Sequence, residues 1–133
     1  MATMDNLPKR ILVVDDDRDT LTFLKENLKR AGYRVVTAET GEEGLDEFRH
    51  NMPDLVILDV MMPGMDGWEV LRRIKSGPRS GKVPVIMLTA QSDDADKYKG
   101  YDIGADFYVT KPFNMQKLLP VIRTMVMEHD KPQ

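Results

Sequence analysis

Short apolar runs and amphipathic stretches alternate along this chain with little between them. Residues 11–14 read ILVV, 34–38 RVVTA, 55–58 LVIL and 84–88 PVIML, and 106–109 carry Phe107, Tyr108 and Val109 behind an aspartate. Runs of four or five such residues bounded by turn residues fit strands covered on both faces. The segments between them have a different period. Over 18–31 the apolar positions are Leu21, Leu24, Leu28 and Ala31, three and four apart, which predicts a helix capped by Asp17 and stopped at Gly32. Thr40 opens a second helix over 41–50, with Glu43 as its capping-box acid and Leu45 and Phe48 facing inward. A third over 67–76 turns Val70, Leu71 and Ile74 inward. A fourth, from Asp93 or Asp94 to Ile103, has only the thin stripe of Ala95, Tyr98 and Tyr101. The last, over 115–127, carries Met115, Leu118, Leu119, Ile122, Met125 and Val126, with Pro120 placed to bend it.

Five strands alternating with five helices predict an α/β fold: a parallel sheet, helices on both faces, right-handed crossovers. One domain is expected over 9–127, with polar tails over 1–8 and 128–133. Its centre is 55–67, LVILDVMMPGMDG, where an apolar strand runs straight into Asp59 and then into a loop. Ligands of open α/β sheets bind at the carboxyl ends of the strands. That edge collects Asp15 and Asp16 from strand one, Asp59 from strand three, Thr89 from strand four and Lys111 after strand five.

Composition narrows the setting. The chain has 133 residues, 41% hydrophobic and 31% charged, as a soluble globular domain does. A net charge of −3 leaves no overall basic footprint, so nucleic acid is not an expected partner of this domain. There are no cysteines, hence no disulfide and no thiolate metal site. No apolar stretch suffices for a signal core or a membrane span, and a cytoplasmic location is the default.

Three carboxylates at one edge need compensation, since two like charges about 4 Å apart repel by roughly 4 kcal/mol at an effective dielectric of about 20. Either one is protonated or a cation is bound. Oxygen ligands, with no histidine near a strand end, point to a hard ion, Mg2+ or Mn2+. Asp16 and Asp59 would hold it directly, Asp15 through water, and Met61 through its backbone carbonyl. Lys111 adds a fixed positive charge and Thr89 a hydroxyl donor. Such surroundings suit a phosphoryl group, with Asp59 as the nucleophile.

The pieces ILVVDDD, LVILDVMMPGMDG, VIMLTA and GADFYVTKPF, in this order and spacing, resemble the receiver domain of two-component response regulators over nearly the whole chain. The resemblance implies a flavodoxin-like fold with strand order 2-1-3-4-5. It implies that Asp59 takes phosphate from a histidine kinase or a histidine phosphotransfer protein, and that the domain assists its own phosphorylation without being a turnover enzyme. It further implies a switch in which Thr89 moves toward the phosphate and Tyr108 turns inward, and a cis Lys111–Pro112 bond. Met61 and Gln91 correspond to positions that tune the phosphate's lifetime. The output face would be the fourth helix, fifth strand and fifth helix. Phe107 and Val121 stand there where salt-bridged dimers of transcription factors carry an acid and a base, so a monomer or weak dimer is expected, acting as a stand-alone receiver through an effector protein. A kinase-side partner would dock on the first helix and the loop around Pro112.

Plainer readings apply elsewhere. Asp17 serves as a cap, Trp68 as half-exposed packing, the ten methionines mostly as gap-fillers, and His50 and His129 sit at helix ends. Two rival readings are a fragment of a longer regulator and an aspartyl-phosphate phosphatase of the haloacid-dehalogenase type. The latter wants a second acid two residues after the nucleophile, where this chain has Met61.

Overall fold

The structure, a computed structural model, describes residues 7–90 and 103–130. Five strands, β1 (Arg10–Val14), β2 (Arg34–Ala38), β3 (Leu55–Asp59), β4 (Val85–Thr89) and β5 (Phe107–Thr110), form one sheet in the order β2-β1-β3-β4-β5. Every pairing is parallel. The described residues contain four α-helices, α1 (Arg18–Arg30), α2 (Gly41–His50), α3 (Gly67–Lys75) and α4 (Met115–Asp130), and a 3₁₀ turn at Ser80–Lys82. Apart from Ile103, the helix expected from Asp93 or Asp94 lies outside the described residues, as does Gln91. The helix expected to end at Met127 runs on to Asp130, so the supposed tail begins as helix.

The apolar runs behave as strands covered twice. Alternate residues point to opposite faces. Ile11, Val13, Leu55, Ile57, Ile86 and Leu88 meet α1 and α4 through Leu21, Leu24, Leu28, Leu118 and Ile122. Leu12, Val14, Val56, Leu58, Val85 and Met87 meet α2 and α3 through Leu45, Phe48, Val70, Leu71 and Ile74.

Local chemistry sets the helix boundaries. Asp17 accepts from the Asp19 backbone N–H at 3.0 Å, and Thr40 Oγ1 accepts from Glu43 N–H at 3.1 Å. Glu43 reaches back to the N–H of Glu39 at 3.3 Å, one residue before the cap. Gly32 ends α1 at φ 101, a backbone conformation that glycine adopts without penalty. Ala31, expected in the core, is the C-cap and only half-buried.

Trp68 corrects a second expectation. It is 8% exposed rather than half-exposed, because Tyr108 of β5 packs on it with ring centroids 6.3 Å apart. The contact comes from a strand forty residues away, which helix periodicity cannot anticipate.

Candidate functional site at the carboxyl edge of the sheet

Strand register decides which side chains meet. Val14 of β1 lies opposite Leu58 of β3, Asp59 opposite Leu88 of β4, and Thr89 opposite Thr110 of β5. The residues at or just beyond these ends, Asp15, Asp59, Thr89 and Lys111, therefore share one edge. The edge is tied across strands by backbone bonds. Asp15 N–H donates to Ala38 at 3.1 Å, Val60 N–H to Leu88 at 3.0 Å, and Lys111 N–H to the Thr89 carbonyl at 2.7 Å.

Asp15 is fully buried and Asp59 is 5% exposed. One carboxylate oxygen from each of Asp15, Asp16 and Asp59 falls within 4.8 Å of the others. Lys111 Nζ donates to Asp15 Oδ2 at 2.8 Å and stands 3.6 Å from Asp59 Oδ1. The second oxygen of Asp15 accepts from Asp17 N–H at 2.9 Å. Thr89, also 5% exposed, is the last residue of β4.

Burial, and then the neighbouring Asp15 charge, push the Asp59 carboxyl up to about 7, against the pull of Lys111 and of the Met61 N–H. The first cause is the cost of a charge in a low-dielectric place, and the second is like-charge repulsion. Burial works against the charge on Lys111, yet its hydrogen bond to Asp15 and both carboxylate charges hold its pKa above the usual lysine value. Among the described residues one ammonium faces the three acids, which leaves the cluster short of positive charge. Hard oxygen donors close together and an electrostatic deficit fit a small divalent cation.

The predicted residues Asp15, Asp16, Asp59, Thr89 and Lys111 thus lie at one edge, and Met61, two residues after Asp59, is 73% exposed. Tyr108 is buried against Trp68, on the face of the sheet that α3 covers. The Lys111–Pro112 bond is cis, as the resemblance implied.

Other residues shape the site through contacts that the sequence does not specify. Gly67 begins α3 against the back of Asp59, and a Cβ there would overlap the Asp59 carbonyl. Asp66 caps the same helix, accepting from Glu69 N–H at 3.0 Å. The turn motif Met65-Asp66-Gly67 was a signal for a loop, but the close approach behind it depends on tertiary packing. At the opposite edge Lys75 Nζ donates to the carbonyls of Gly81 (3.2 Å) and Val83 (2.8 Å) and to Asp106 Oδ2 (2.9 Å). Asp106 also accepts from Val85 N–H at 2.8 Å, so this clasp fixes where β4 and β5 begin.

The family model of the response regulator receiver domain matches residues 11–123. The chain is 44% identical over 110 residues to the alkaline phosphatase synthesis transcriptional regulatory protein PhoP of Bacillus subtilis, covering 83% of this chain and 45% of that protein. It is 44% identical over 121 residues to the transcriptional regulatory protein AfsQ1 of Streptomyces coelicolor, covering 91% and 52%. The chain thus spans about half the length of these curated relatives. A CheY-like response regulator receiver domain protein from Methanospirillum hungatei has a similar structure, with a TM-score of 0.87 at 32% identity over 92% of this chain and 97% of that one. The sheet order, the acidic edge beside a lysine and these matches lead to one conclusion: the chain belongs to the response regulator receiver domain family of two-component signalling.

Proposed function

We propose that Asp59 accepts a phosphoryl group from the phosphohistidine of a sensor kinase or a histidine phosphotransfer protein. The observation that carries this reading is the convergence of Asp15, Asp16 and Asp59 within 4.8 Å, with Lys111 bridging two of them. An Asp59 oxygen attacks phosphorus, the new O–P bond forms as the P–N bond to histidine breaks, and an acyl phosphate results. Lys111 neutralises charge on the transferred oxygens, and the Thr89 hydroxyl donates to one of them. Mg2+ (or Mn2+) would be held by Asp16 and Asp59, by Asp15 through water, and by the Met61 carbonyl. Its contribution when bound is positive charge against the phosphoryl oxygens.

The same reading makes Thr89 and Tyr108 a switch. Thr89 is drawn toward the phosphate, and Tyr108 is held in the inward position it occupies beside Trp68. The domain performs no turnover on a separate substrate, and Met61 and Gln91 tune how long the phosphate lasts. Support for kinase-side docking at α1 and the Pro112 loop comes from Phe23, 46% exposed, whose ring lies 5.9 Å from that of Phe113. Output runs through β5, α4 and the segment preceding β5, where Phe107 and Val121 supply apolar contact in place of a salt bridge. A cytoplasmic monomer or weak dimer that signals by protein contact, without nucleic acid, fits this surface. The lengths of PhoP and AfsQ1 favour a second reading of the output, in which the effector is a further part of the same polypeptide.

The test is direct. Incubation with Mg2+ and acetyl phosphate or phosphoramidate should add one phosphoryl mass, absent in Asp59→Ala. Failure of any phosphodonor to give an adduct would overturn the reading.

A further inference from the structure

We propose that the amino edge of the sheet, opposite the site, is a surface that docks on an anionic lipid membrane. In this parallel sheet the strand starts and the ends of the covering helices gather at that edge. Residues 72–82 read RRIKSGPRSGK, five basic residues and no acid, in a chain whose net charge is −3. Arg72 and Arg73 stand in the last turn of α3, Arg79 and Lys82 follow before β4, and all four are exposed. Arg34, also exposed, opens β2, and Arg49 stands in the last turn of α2. Cations at helix ends answer the helix dipole, which accounts for Arg49, Arg72 and Arg73. It does not account for Arg34 at a strand start, nor for Arg79 and Lys82. Among the described residues, Arg79 and Lys82 have no ion pair. Two acids of this edge are already engaged. Asp54 accepts from Arg10 N–H at 2.8 Å, and Asp106 is held in the Lys75 clasp. The last turn of α4, with Glu128 and Asp130, bounds the basic surface on its side.

Apolar side chains stand among these cations. Leu7 leads into β1 and Met52 lies between α2 and β3, 43% and 46% exposed. β1 and β3 are neighbours, and Asp54 N–H donates to the Arg10 carbonyl at 2.8 Å, so both lead-ins reach the same edge. This combination selects the partner. A nucleic-acid backbone takes the cations but has no use for an exposed Leu or Met. Anionic headgroups attract the cations and let the apolar side chains enter the interface. The charge distribution also sets the orientation. The carboxyl edge carries Asp15, Asp16 and Asp59, and α1, α2 and α3 have acids in their first turns. An anionic surface repels that edge, so the docked domain turns its site away from the lipid.

The full chain is sedimented with vesicles of mixed phosphatidylglycerol and phosphatidylcholine, and with vesicles of phosphatidylcholine alone. It should go down with the first and not the second, and rising salt should weaken the binding. Arg79→Glu with Lys82→Glu should lower the affinity at least about tenfold, since each cation near an anionic surface contributes roughly a fivefold factor. Lys25→Glu with Lys117→Glu makes the same change of charge at exposed positions away from this edge and should lower it less than about threefold. Leu7→Ser with Met52→Ser should weaken binding several-fold and leave the melting temperature unchanged, because both side chains are exposed. Mass gain from acetyl phosphate and Mg2+ should be as fast on the vesicles as off them, and a rate lost only on vesicles overturns the orientation. No sedimentation with the anionic vesicles, binding to duplex DNA in place of vesicles, or equal losses in the two charge-reversed variants overturns the inference.

Discussion

Asp59 owes its character to its surroundings more than to its own chemistry. A buried carboxyl beside a second carboxylate keeps its proton up to about pH 7, whereas in the unfolded chain it ionises near 3.8. Between those values the folded state holds more protons than the unfolded one. Without divalent cations, rising pH should therefore cost stability across that window, by up to about 4 kcal/mol, and the slope should vanish above pH 7. Urea midpoints in chelator from pH 4 to 8 check this, and Asp59→Asn should flatten the curve. Lys111 is the counterpart. Replacing it with methionine leaves fully buried Asp15 without its 2.8 Å ammonium partner, which should cost about 2–3 kcal/mol at pH 8 in chelator, with part recovered in Mg2+. Both side chains were legible in sequence as chemistry at strand ends. The Asp15–Lys111 bond spans 96 residues and follows only from the parallel register.

At the scale of elements, α3 is held at both ends by contacts the sequence did not advertise. Its first residue, Gly67, lies so close to Asp59 that any side chain must push helix and strand apart. Gly67→Ala should destabilise the fold by about 2–4 kcal/mol and slow phosphorylation by roughly tenfold, read from urea unfolding and the rate of mass gain. The other end is the Lys75 clasp. Its ammonium satisfies two carbonyls and the Asp106 carboxylate while its side chain is 12% exposed. Lys75→Met should cost about 1–3 kcal/mol in urea unfolding, since buried acceptors lose a donor. The periodicity of α3 predicted Val70, Leu71 and Ile74 as core. It is silent on Lys75, because a lysine at the end of a helix usually serves only the helix dipole.

For the whole molecule, the two helical layers and the sheet between them leave the carboxyl edge as the meeting place of charge. Divalent cation binding there should couple to folding of the entire domain. Millimolar Mg2+ should raise the melting temperature by about 3–8 °C at pH 8 and by little at pH 5, where Asp59 keeps its proton. Scanning calorimetry at the two pH values decides this, and an equal shift at both would contradict the proposed role of Asp59. Trp68, now seen to be buried, should emit in the blue in the native state and move to the red on unfolding, which makes it a probe of that coupling.

Local pattern alone determined a good deal about this protein. Apolar runs bounded by turns defined five strands within a residue or so of where they lie, and helical spacing picked out Leu21, Leu24, Leu28, Leu45, Phe48 and Ile122 as core. These features are encoded within a few residues of one another, and burial of one face enforces them. The acids, hydroxyl and lysine were visible as types, and the family likeness joined them into one site. Tertiary structure alone decided the rest. Trp68 is buried by a strand that follows it much later, Ala31 is left half-buried at a helix end, and the Asp59 carboxyl is raised to about 7 by burial and by the acids at the end of β1. Burial and electrostatics depend on distances in space, and the parallel register sets those distances between residues that lie far apart in the chain.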